Sequence, residues 1–217
     1  MICRPMTTTY NTNYQHRLEE IISGLDTRPR LLLHSCCAPC SSYCLTYLLP
    51  HFDVDCYFYN PNITDKEEYD LRLQQMYILV DELHKLLRDT GRHPSEQRIR
   101  IIEGDYEPEV FIKRTEDEGL TSEPEGGSRC SMCFTMRLTK TYELASKEGY
   151  DYFATTLTIS PHKNAQLINS IGYLIGGDMW LPGDFKKNDG YKRSTELSKQ
   201  FGLYRQNYCG CSYSQHQ

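Results

Sequence analysis

The 217-residue sequence contains no apolar run of about 18 residues, so it predicts no transmembrane helix and no membrane partner. The opening segment, MICRPMTTTYNTNYQ, lacks the apolar stretch of a secretory signal, and we therefore expect a cytoplasmic protein. An excess of positive charge is also missing. The formal net charge of −5 argues against broad electrostatic binding of nucleic acid, although it leaves room for a local basic patch.

The chain also lacks an internal repeat and any linker-like stretch that would divide it. Predicted strands and helices alternate along its length, which indicates an α/β fold with a mainly parallel sheet. The predicted strands are 30–35, 54–59, 100–103 and 151–157, and the predicted helices are 14–24, 40–49, 65–89, 105–117, 130–147, 164–175 and 191–201. We expect an N-terminal arm and helix over residues 1–29 and a single α/β metalloenzyme domain over residues 30–217.

Ten cysteines are many for a chain expected in a reducing compartment, where grouped cysteines are more often metal ligands or catalytic groups than disulfides. Three cysteines are isolated. Two of these, Cys44 and Cys56, lie in apolar helix and strand patterns, where we expect them to be buried as small hydrophobic side chains. The other seven form three groups. These groups are Cys36, Cys37 and Cys40; Cys130 and Cys133; and Cys209 and Cys211.

The first cysteine group follows a run of three leucines, 31–33, that is typical of a short buried strand, and it precedes a segment with helical apolar spacing. Its thiols are therefore expected on a strand-to-helix turn, at the sheet edge where α/β proteins bind ligands. The positive end of the new helix, which Ser41 or Ser42 is expected to cap, favours thiolate over thiol. Because adjacent side chains point in different directions, we expect Cys36 and Cys37 to serve two neighbouring sites rather than one ion.

Seven grouped thiols exceed the four ligands of one structural zinc ion and the four of one [4Fe–4S] cluster. A cluster with four cysteines, beside a second metal with three cysteines and an open position, would use all seven. The residues leave two alternatives. Cys37 and Cys40 fit a thioredoxin-like thiol–disulfide oxidoreductase, which would be metal-free and would leave the other grouped cysteines unexplained. A non-catalytic zinc module that binds RNA would leave three of them unexplained.

Five separated segments narrow these alternatives. They are HSCCAPCSS (34–42), YNPNI (59–63), RCSMC (129–133), TTLTISPHKN (155–164) and GYKRSTELSKQFGLYRQNYCGC (190–211). In this order they resemble the epoxyqueuosine reductases of the QueH type, which replace the cobalamin-dependent enzyme of the same pathway. The resemblance covers most of the chain, from about residue 30 to residue 211.

The resemblance implies a Rossmann-like fold of the HUP type, with helices on both faces of a mainly parallel sheet. It also implies an oxidoreductase that holds a [4Fe–4S] cluster beside a single additional iron. Such an enzyme removes the epoxide oxygen of epoxyqueuosine at the wobble position of tRNA, in the last step of queuosine biosynthesis. Its partners would be the epoxyqueuosine-containing tRNA and an electron donor that the sequence does not identify.

The resemblance also suggests roles for the grouped cysteines. We assign Cys37, Cys130, Cys133 and Cys211 to the cluster, and Cys36, Cys40 and Cys209 to the lone iron. Within the pairs Cys36/Cys37 and Cys209/Cys211, the residues do not decide which member goes where. Some family members have an iron-ligating aspartate at the position of Cys40, so an all-sulfur ligand set is expected here. Cys40, with the lone iron, and His162 are the candidate catalytic residues.

Candidate contacts to the tRNA lie on two strand-end turns and on a basic stretch near the last cysteines. They are Tyr59, Asn60 and Asn62; Thr156, Ser160, Lys163 and Asn164; and Lys186, Lys187 and Arg193, with Lys192 and Arg205 beside them. Modified bases in tRNA loops can be splayed out and stacked, which suits such turns. His34 precedes the first cysteines on the predicted strand, and we expect a hydrogen-bonded core histidine there rather than a metal ligand.

Overall fold

The computed structural model describes residues 12–89 and 98–214. Its four strands form one parallel sheet in the order β3-β2-β1-β4. The strands are β1 (Arg30–His34), β2 (Asp53–Phe58), β3 (Ile101–Glu103) and β4 (Tyr152–Thr155). The helices in the described ranges are α1 (Tyr14–Ser23), α2 (Ala38–Leu48), α3 (Lys66–Asp89), α4 (Pro108–Asp117), α5 (Ser128–Lys147), α6 (Ala165–Gly176) and α7 (Gly190–Gln200). None of them is long and apolar enough to span a bilayer.

The sheet is covered by helices on both faces, as the alternation of side chains along β1 shows. Leu31 and Leu33 belong to one apolar core together with α2 and α3, whereas Leu32 belongs to a second core together with α5 and α6. Successive strand residues point to opposite faces, so one apolar run supplies both cores. The prediction of an α/β, Rossmann-like sheet with helices on both faces is confirmed.

The strand order places a crevice at the end of β1. The chain runs outward from β1 through β2 to β3 and then returns to form β4 on the opposite side of β1. Strand order reverses between β1 and β4, and ligands of open α/β sheets bind outside the carboxyl ends of the strands at such a point. Cys36 follows β1, and Thr156 follows β4 in a 3₁₀ turn, Thr156–Ile159, so both residues face this crevice.

Helix α2 begins two residues before the predicted start, and its predicted serine cap is wrong. Cys37 is the N-cap residue, and Pro39 lies in the first turn, where its fixed φ is compatible with helix and its missing N–H leaves no unpaired donor. The Ser41 hydroxyl donates to the Cys37 carbonyl at 2.8 Å, and the Ser42 hydroxyl donates to the Pro39 carbonyl at 2.8 Å. Both serines therefore bond back to the preceding turn instead of capping the helix.

Helix α1 joins the domain through its buried side. Leu18 is fully buried in the same core as Leu31, and the Gln15 side chain donates to the Tyr47 hydroxyl at 3.1 Å. Residues 1–11 of the predicted N-terminal arm lie outside the described residues. The N-terminal helix thus contributes to the main core of the protein.

Candidate metal centre

The first thiol group, Cys36, Cys37 and Cys40, is compact enough for one metal ion. The Sγ atoms of Cys36 and Cys37 lie 3.8 Å apart, and all three Sγ atoms lie within 4.8 Å of one another. Two thiolates on one tetrahedral ion, with metal–sulfur bonds of about 2.3 Å, are roughly 3.8 Å apart. The expectation that Cys36 and Cys37 diverge is therefore wrong. It assumes a regular strand, whereas the chain leaves β1 here, and Cys37 keeps an extended backbone just before α2.

Charge within this first thiol group concentrates on Cys36. Hydrogen bonds from the Cys37 and Cys40 thiols lower the pKa of Cys36 well below its ordinary value, against the effect of burial, and Lys163 adds to the decrease. The bond to Cys36 raises the pKa of Cys37 to about 12. The Thr156 hydroxyl also donates to Cys36 Sγ at 3.4 Å. Cys36 is therefore the most acidic thiol of the three, and metal binding would release the thiol protons of the group.

The second thiol group comes from two distant parts of the chain. Cys130 and Cys133 lie in the first turns of α5, and Cys209 and Cys211 lie on the segment after α7. These four cysteines line one small cavity of about 80 Å³. The Gly126 amide donates to Cys130 Sγ at 3.2 Å, as backbone amides do for thiolate ligands.

Helix α3 holds the segment that carries Cys209. Arg72 on α3 donates to the Cys209 carbonyl at 3.1 Å and to the Tyr208 carbonyl at 3.3 Å. Asn62, which precedes α3, donates to the same Cys209 carbonyl at 3.2 Å. The Arg72 side chain is 3% exposed and is paired with Glu68, 12% exposed, at 2.6 Å. A buried ion pair therefore anchors the second thiol group.

Gly210, between the two cysteines of this segment, is required by its backbone conformation. Its φ is +97°, and a Cβ at this position would lie 2.9 Å from Ile63 Cγ1 and 3.1 Å from Arg72 Nη1. The Gly210 carbonyl also accepts from the Thr64 amide at 3.2 Å. Only glycine meets both the left-handed conformation and the close approach, so Gly210 fixes where Cys209 and Cys211 point.

The side chain of Arg129, on the same helix as Cys130, indicates that the small cavity suits an anionic group. The side chain is 1% exposed, and its Nε and Nη2 have no hydrogen-bond partner, whereas Nη1 donates to carbonyls that include that of Leu120 at 3.2 Å. Buried unpaired donors are costly. Arg129 lines the same cavity as the four thiols, so a negatively charged, sulfur-rich group there would meet both the ligands and the donors.

A second buried arginine, Arg137, lies beside the thiols and is hydrogen-bonded to His34. Arg137 Nε lies 3.2 Å from His34 Nε2, and His34 Nδ1 lies 2.8 Å from the Thr155 hydroxyl. His34 Nε2 also lies 3.1 Å from the Tyr59 carbonyl oxygen, so this nitrogen has both a donor and an acceptor beside it. Burial, followed by the charge of Arg137, lowers the pKa of His34 to about 3, so the ring is neutral. His34 is a hydrogen-bonded core residue, as predicted.

A larger cavity of about 360 Å³ lies beside the small one and is lined by Cys36, Cys40 and Cys209. His162, Lys163 and Cys209 line both cavities, so the two cavities adjoin at these residues. Burial alone would lower the pKa of Lys163, but the Cys209, Cys36 and Cys40 thiols outweigh it and raise that pKa. The ammonium group therefore stays charged beside the cysteines.

The predicted substrate contacts divide into buried and accessible side chains. Four are 2% exposed or less: Tyr59, Asn60, Asn62 and Thr156. Each is hydrogen-bonded inside the protein, so these side chains support the site instead of facing solvent. The accessible ones are Ser160, Lys163, Asn164, Lys186, Lys187 and Arg193, with Lys192 and Arg205. Ser160, Lys163 and Arg205 line the larger cavity, whereas Asn164, Lys186 and Lys187 line a neighbouring cavity.

Sequence reasoning missed the buried arginines Arg72, Arg129 and Arg137. The spacing carried one signal: Arg137 follows Cys133 by four residues, which places both on one face of a helix. Two of the three isolated cysteines, Cys44 and Cys56, are fully buried, as predicted.

Comparison with known proteins places this site in a family. A sequence profile described as epoxyqueuosine reductase QueH matches residues 31–217. The chain belongs to the QueH family. The similar proteins of known name include the epoxyqueuosine reductase QueH of Staphylococcus epidermidis, 45% identical over 208 residues, which cover 93% of this chain and 84% of that protein.

More distant QueH proteins align over a comparable length. The epoxyqueuosine reductase QueH of Streptococcus pyogenes serotype M1 is 40% identical over 215 residues, which cover 96% of this chain and 80% of that protein. The QueH of Thermotoga maritima is 35% identical over 188 residues, which cover 85% of this chain and 89% of that protein. All seven grouped cysteines, and the whole sheet except Arg30 at the start of β1, lie within the part of the chain that matches the QueH profile.

Proposed function

We propose that this chain is an epoxyqueuosine reductase, an oxidoreductase that acts on epoxyqueuosine at the wobble position of tRNA. One observation carries the proposal: six of the seven grouped thiols line two adjoining cavities at the carboxyl edge of the sheet of a QueH-family chain, and the sulfur of the seventh, Cys37, lies within 4.8 Å of those of Cys36 and Cys40. A dithiol enzyme needs only two of these thiols, and a structural zinc ion needs only four. A tRNA substrate also favours a cytoplasmic location.

The proposed reaction is a deoxygenation. Both carbon–oxygen bonds of the epoxide break, a carbon–carbon double bond forms, and the oxygen leaves as water. The balance requires two electrons, from a reductant that the sequence does not identify, and two protons. A site for this reaction must therefore accept electrons, hold the oxygen and supply protons.

The geometry suggests which residues would hold the metals. We assign a single iron to Cys36, Cys37 and Cys40, because their sulfurs are spaced for one ion. We assign a [4Fe–4S] cluster to the four cysteines of the small cavity: Cys130, Cys133, Cys209 and Cys211. This division exchanges Cys37 and Cys209 relative to the division expected from the sequence, and the variants described below decide between the two.

The metals, when bound, would supply single electrons and an open Lewis-acid position for the epoxide oxygen. The residues of the chain do the rest. The larger cavity, about 360 Å³, can enclose the modified base and exclude bulk water from it. Lys163 holds a charged ammonium where both cavities meet, and the exposed imidazole of His162 lies on the same rim. We assign proton supply to this pair.

The accessible cations beside the cavities provide the tRNA contacts in this proposal. Lys187, Lys192, Arg193 and Arg205 are exposed, and Tyr191, 41% exposed, lines the larger cavity near Arg205. Phosphate contacts by such side chains would make binding weaken steeply with salt. The exposed tyrosine offers a face on which a neighbouring base can stack.

The test begins with anaerobic purification, followed by iron and sulfide analysis and a visible spectrum before and after a chemical reductant. About five irons and four sulfides per chain, with an absorption that bleaches on reduction, are expected. The protein is then incubated with reductant and epoxyqueuosine-containing tRNA, and the nucleosides are analysed by mass spectrometry. The expected product lacks one oxygen atom. A loaded protein that leaves the nucleoside unchanged would contradict the proposal, and a zinc-only or metal-free protein would favour the alternatives.

A further inference from the structure

Arg137 connects the two thiol groups through one guanidinium group. It lies on α5 one turn after Cys133, and its Nη1 donates toward Cys133 Sγ at 3.9 Å. The same side chain lines the larger cavity with Cys36 and Cys40. Nη2 donates to the Asn60 side chain, which in turn donates to the Ser35 carbonyl at 3.0 Å. Asn60 thus holds the guanidinium group next to the first thiol group, and its Nη1 points toward Cys133 of the second thiol group.

Arg137 carries a buried positive charge that no carboxylate balances in the part of the chain that the structure describes. Its side chain is 2% exposed, and the ion pairs among the described residues do not include it. An unpaired buried charge is strongly destabilising. By contrast, Arg72, the other buried arginine near the thiols with a full set of partners, is paired with Glu68.

Sulfur atoms of both thiol groups lie beside Arg137: its Nη1 donates toward Cys133 Sγ, and Cys36 and Cys40 line the same cavity. Anionic sulfurs at these positions, as in a bound metal centre, would offset the cost of burying the guanidinium charge. Four thiolates give a [4Fe–4S] centre a net negative charge, and each electron that it accepts adds one more. A fixed cation at this position favours the reduced form over the oxidised one.

We propose that Arg137 is a positioning residue whose charge raises the reduction potential of the centre held by Cys133. This inference rests on the proposed function, since it needs the cluster. It does not depend on how Cys37 and Cys209 divide, because both divisions place Cys133 on the cluster.

The test compares the midpoint potentials of loaded proteins in a spectroelectrochemical titration. Arg137→Gln removes the positive charge of the side chain. Arg137→Lys keeps that charge but replaces the planar guanidinium group with a single ammonium group. Lys140→Gln is the matched control, since it removes one charge from an exposed position of the same helix, one turn further on. Iron and sulfide are measured on every sample, and the wild type is examined first. A wild type without a cluster would contradict the proposed function before any variant is compared.

Arg137→Gln is expected to make reduction at least tenfold less favourable, a shift of about 59 mV to lower potential for a one-electron couple. Arg137→Lys should restore most of that shift, and Lys140→Gln should leave the potential unchanged because solvent screens it. A loaded Arg137→Gln protein with the wild-type potential would overturn the inference, and so would equal shifts in the Gln and Lys variants.

If Arg137→Gln does not load, the Lys variant decides. A loaded Arg137→Lys protein with a near wild-type potential would support a role of the charge in holding the centre. An Arg137→Lys protein that also fails to load would show a structural role of the guanidinium fork and would overturn the inference.

Discussion

Cys36, Cys37 and Cys40 lie within five residues of one another on the turn between β1 and α2, whereas the other four cysteines are assembled from α5 and from a segment after α7. The first group is fixed mainly by local backbone geometry, namely an extended Cys37 and a proline in the first helical turn, with one tertiary hydrogen bond from Thr156. The second depends on tertiary contacts, chiefly those of Arg72 with the backbone of the Cys209 segment.

The difference indicates where each group is vulnerable. A local turn keeps its geometry as long as the sheet and α2 are folded. A site built from distant segments is lost when either segment moves, even if each retains its own structure. Substitutions remote from any sulfur should therefore affect the second group much more than the first.

The largest expected effect comes from removing a sulfur of the second group. Cys133→Ala should lower iron from about five to about one per chain and abolish the cluster absorption and deoxygenation of the tRNA nucleoside. Iron and sulfide analysis with a visible spectrum measures this. Cys44→Ala is the matched control, because Cys44 is buried and belongs to neither group. Retention of four sulfides by Cys133→Ala would contradict the assignment.

Removing a sulfur of the first group should have a smaller effect on metal content. Cys37→Ala, like Cys40→Ala, should lose about one iron, keep the cluster spectrum and lose conversion, because only the single ion loses a ligand. The same analysis applies, with Cys56→Ala as the buried control. If Cys37→Ala instead lost four irons, Cys37 would be a cluster ligand, and the division expected from the sequence would be correct.

The contacts that hold the second thiol group in place can be removed without substituting a cysteine. Arg72→Gln leaves the largely buried Glu68 without its cationic partner and the Tyr208 carbonyl without the Arg72 donor, and only Asn62 still donates to the Cys209 carbonyl, so unfolding free energy should fall by about 3–5 kcal/mol. Cluster retention against a chelator should fall roughly 10- to 100-fold, as for other residues that orient metal ligands. Urea unfolding and the rate of loss of absorbance measure these effects.

Lys66→Gln, on the same helix, is the control for Arg72→Gln. It breaks an ion pair of the same i,i+4 spacing with Asp70, but both side chains are more than half exposed, 57% and 56%. The expected change is about 0.5 kcal/mol or less, with no change in cluster retention. Equal effects of the two substitutions would show that Arg72 does not anchor the segment.

The smallest effect is expected at Gly210. Gly210→Ala adds a collision with Ile63 to the cost of the left-handed backbone and should destabilise the protein by roughly 2–3 kcal/mol. Gly119→Ala has a similar positive φ of 68° with no atom within 4 Å of the added Cβ and should cost only about 1 kcal/mol. Thermal unfolding measures both. A cluster lost faster only in Gly210→Ala would support the role of Gly210, and equal behaviour would contradict it.

Much of the fold could be predicted from the sequence because its signals are local. The leucine run 31–33 predicts β1 and its burial, and Gly24 ends α1 as predicted. The start of α2 was missed because the serines bond back to Cys37 and Pro39. Such a choice between two hydrogen-bonding roles depends on the surrounding backbone.

The candidate site was less predictable because its supporting residues are polar but buried. The polar residues Asn60 and Thr156 follow strands and were expected to face substrate, but each satisfies a backbone group within the crevice. Arginine is almost always exposed, so nothing in composition indicated that Arg129 and Arg137 lie inside. Their burial follows from the thiols around them, which a linear pattern does not bring together.

The origin of the second thiol group in a late segment also orders events during synthesis. Cys209 and Cys211 follow every strand of the sheet and every described α-helix along the chain. At the usual pace of translation, 5–20 residues per second, they emerge on the order of 10–30 s after Cys40. The ribosome therefore releases a chain whose first metal site can already be folded while the second is still incomplete. If the four cysteines of the second group hold a cluster, as proposed, its delivery has to wait until elongation has passed that segment.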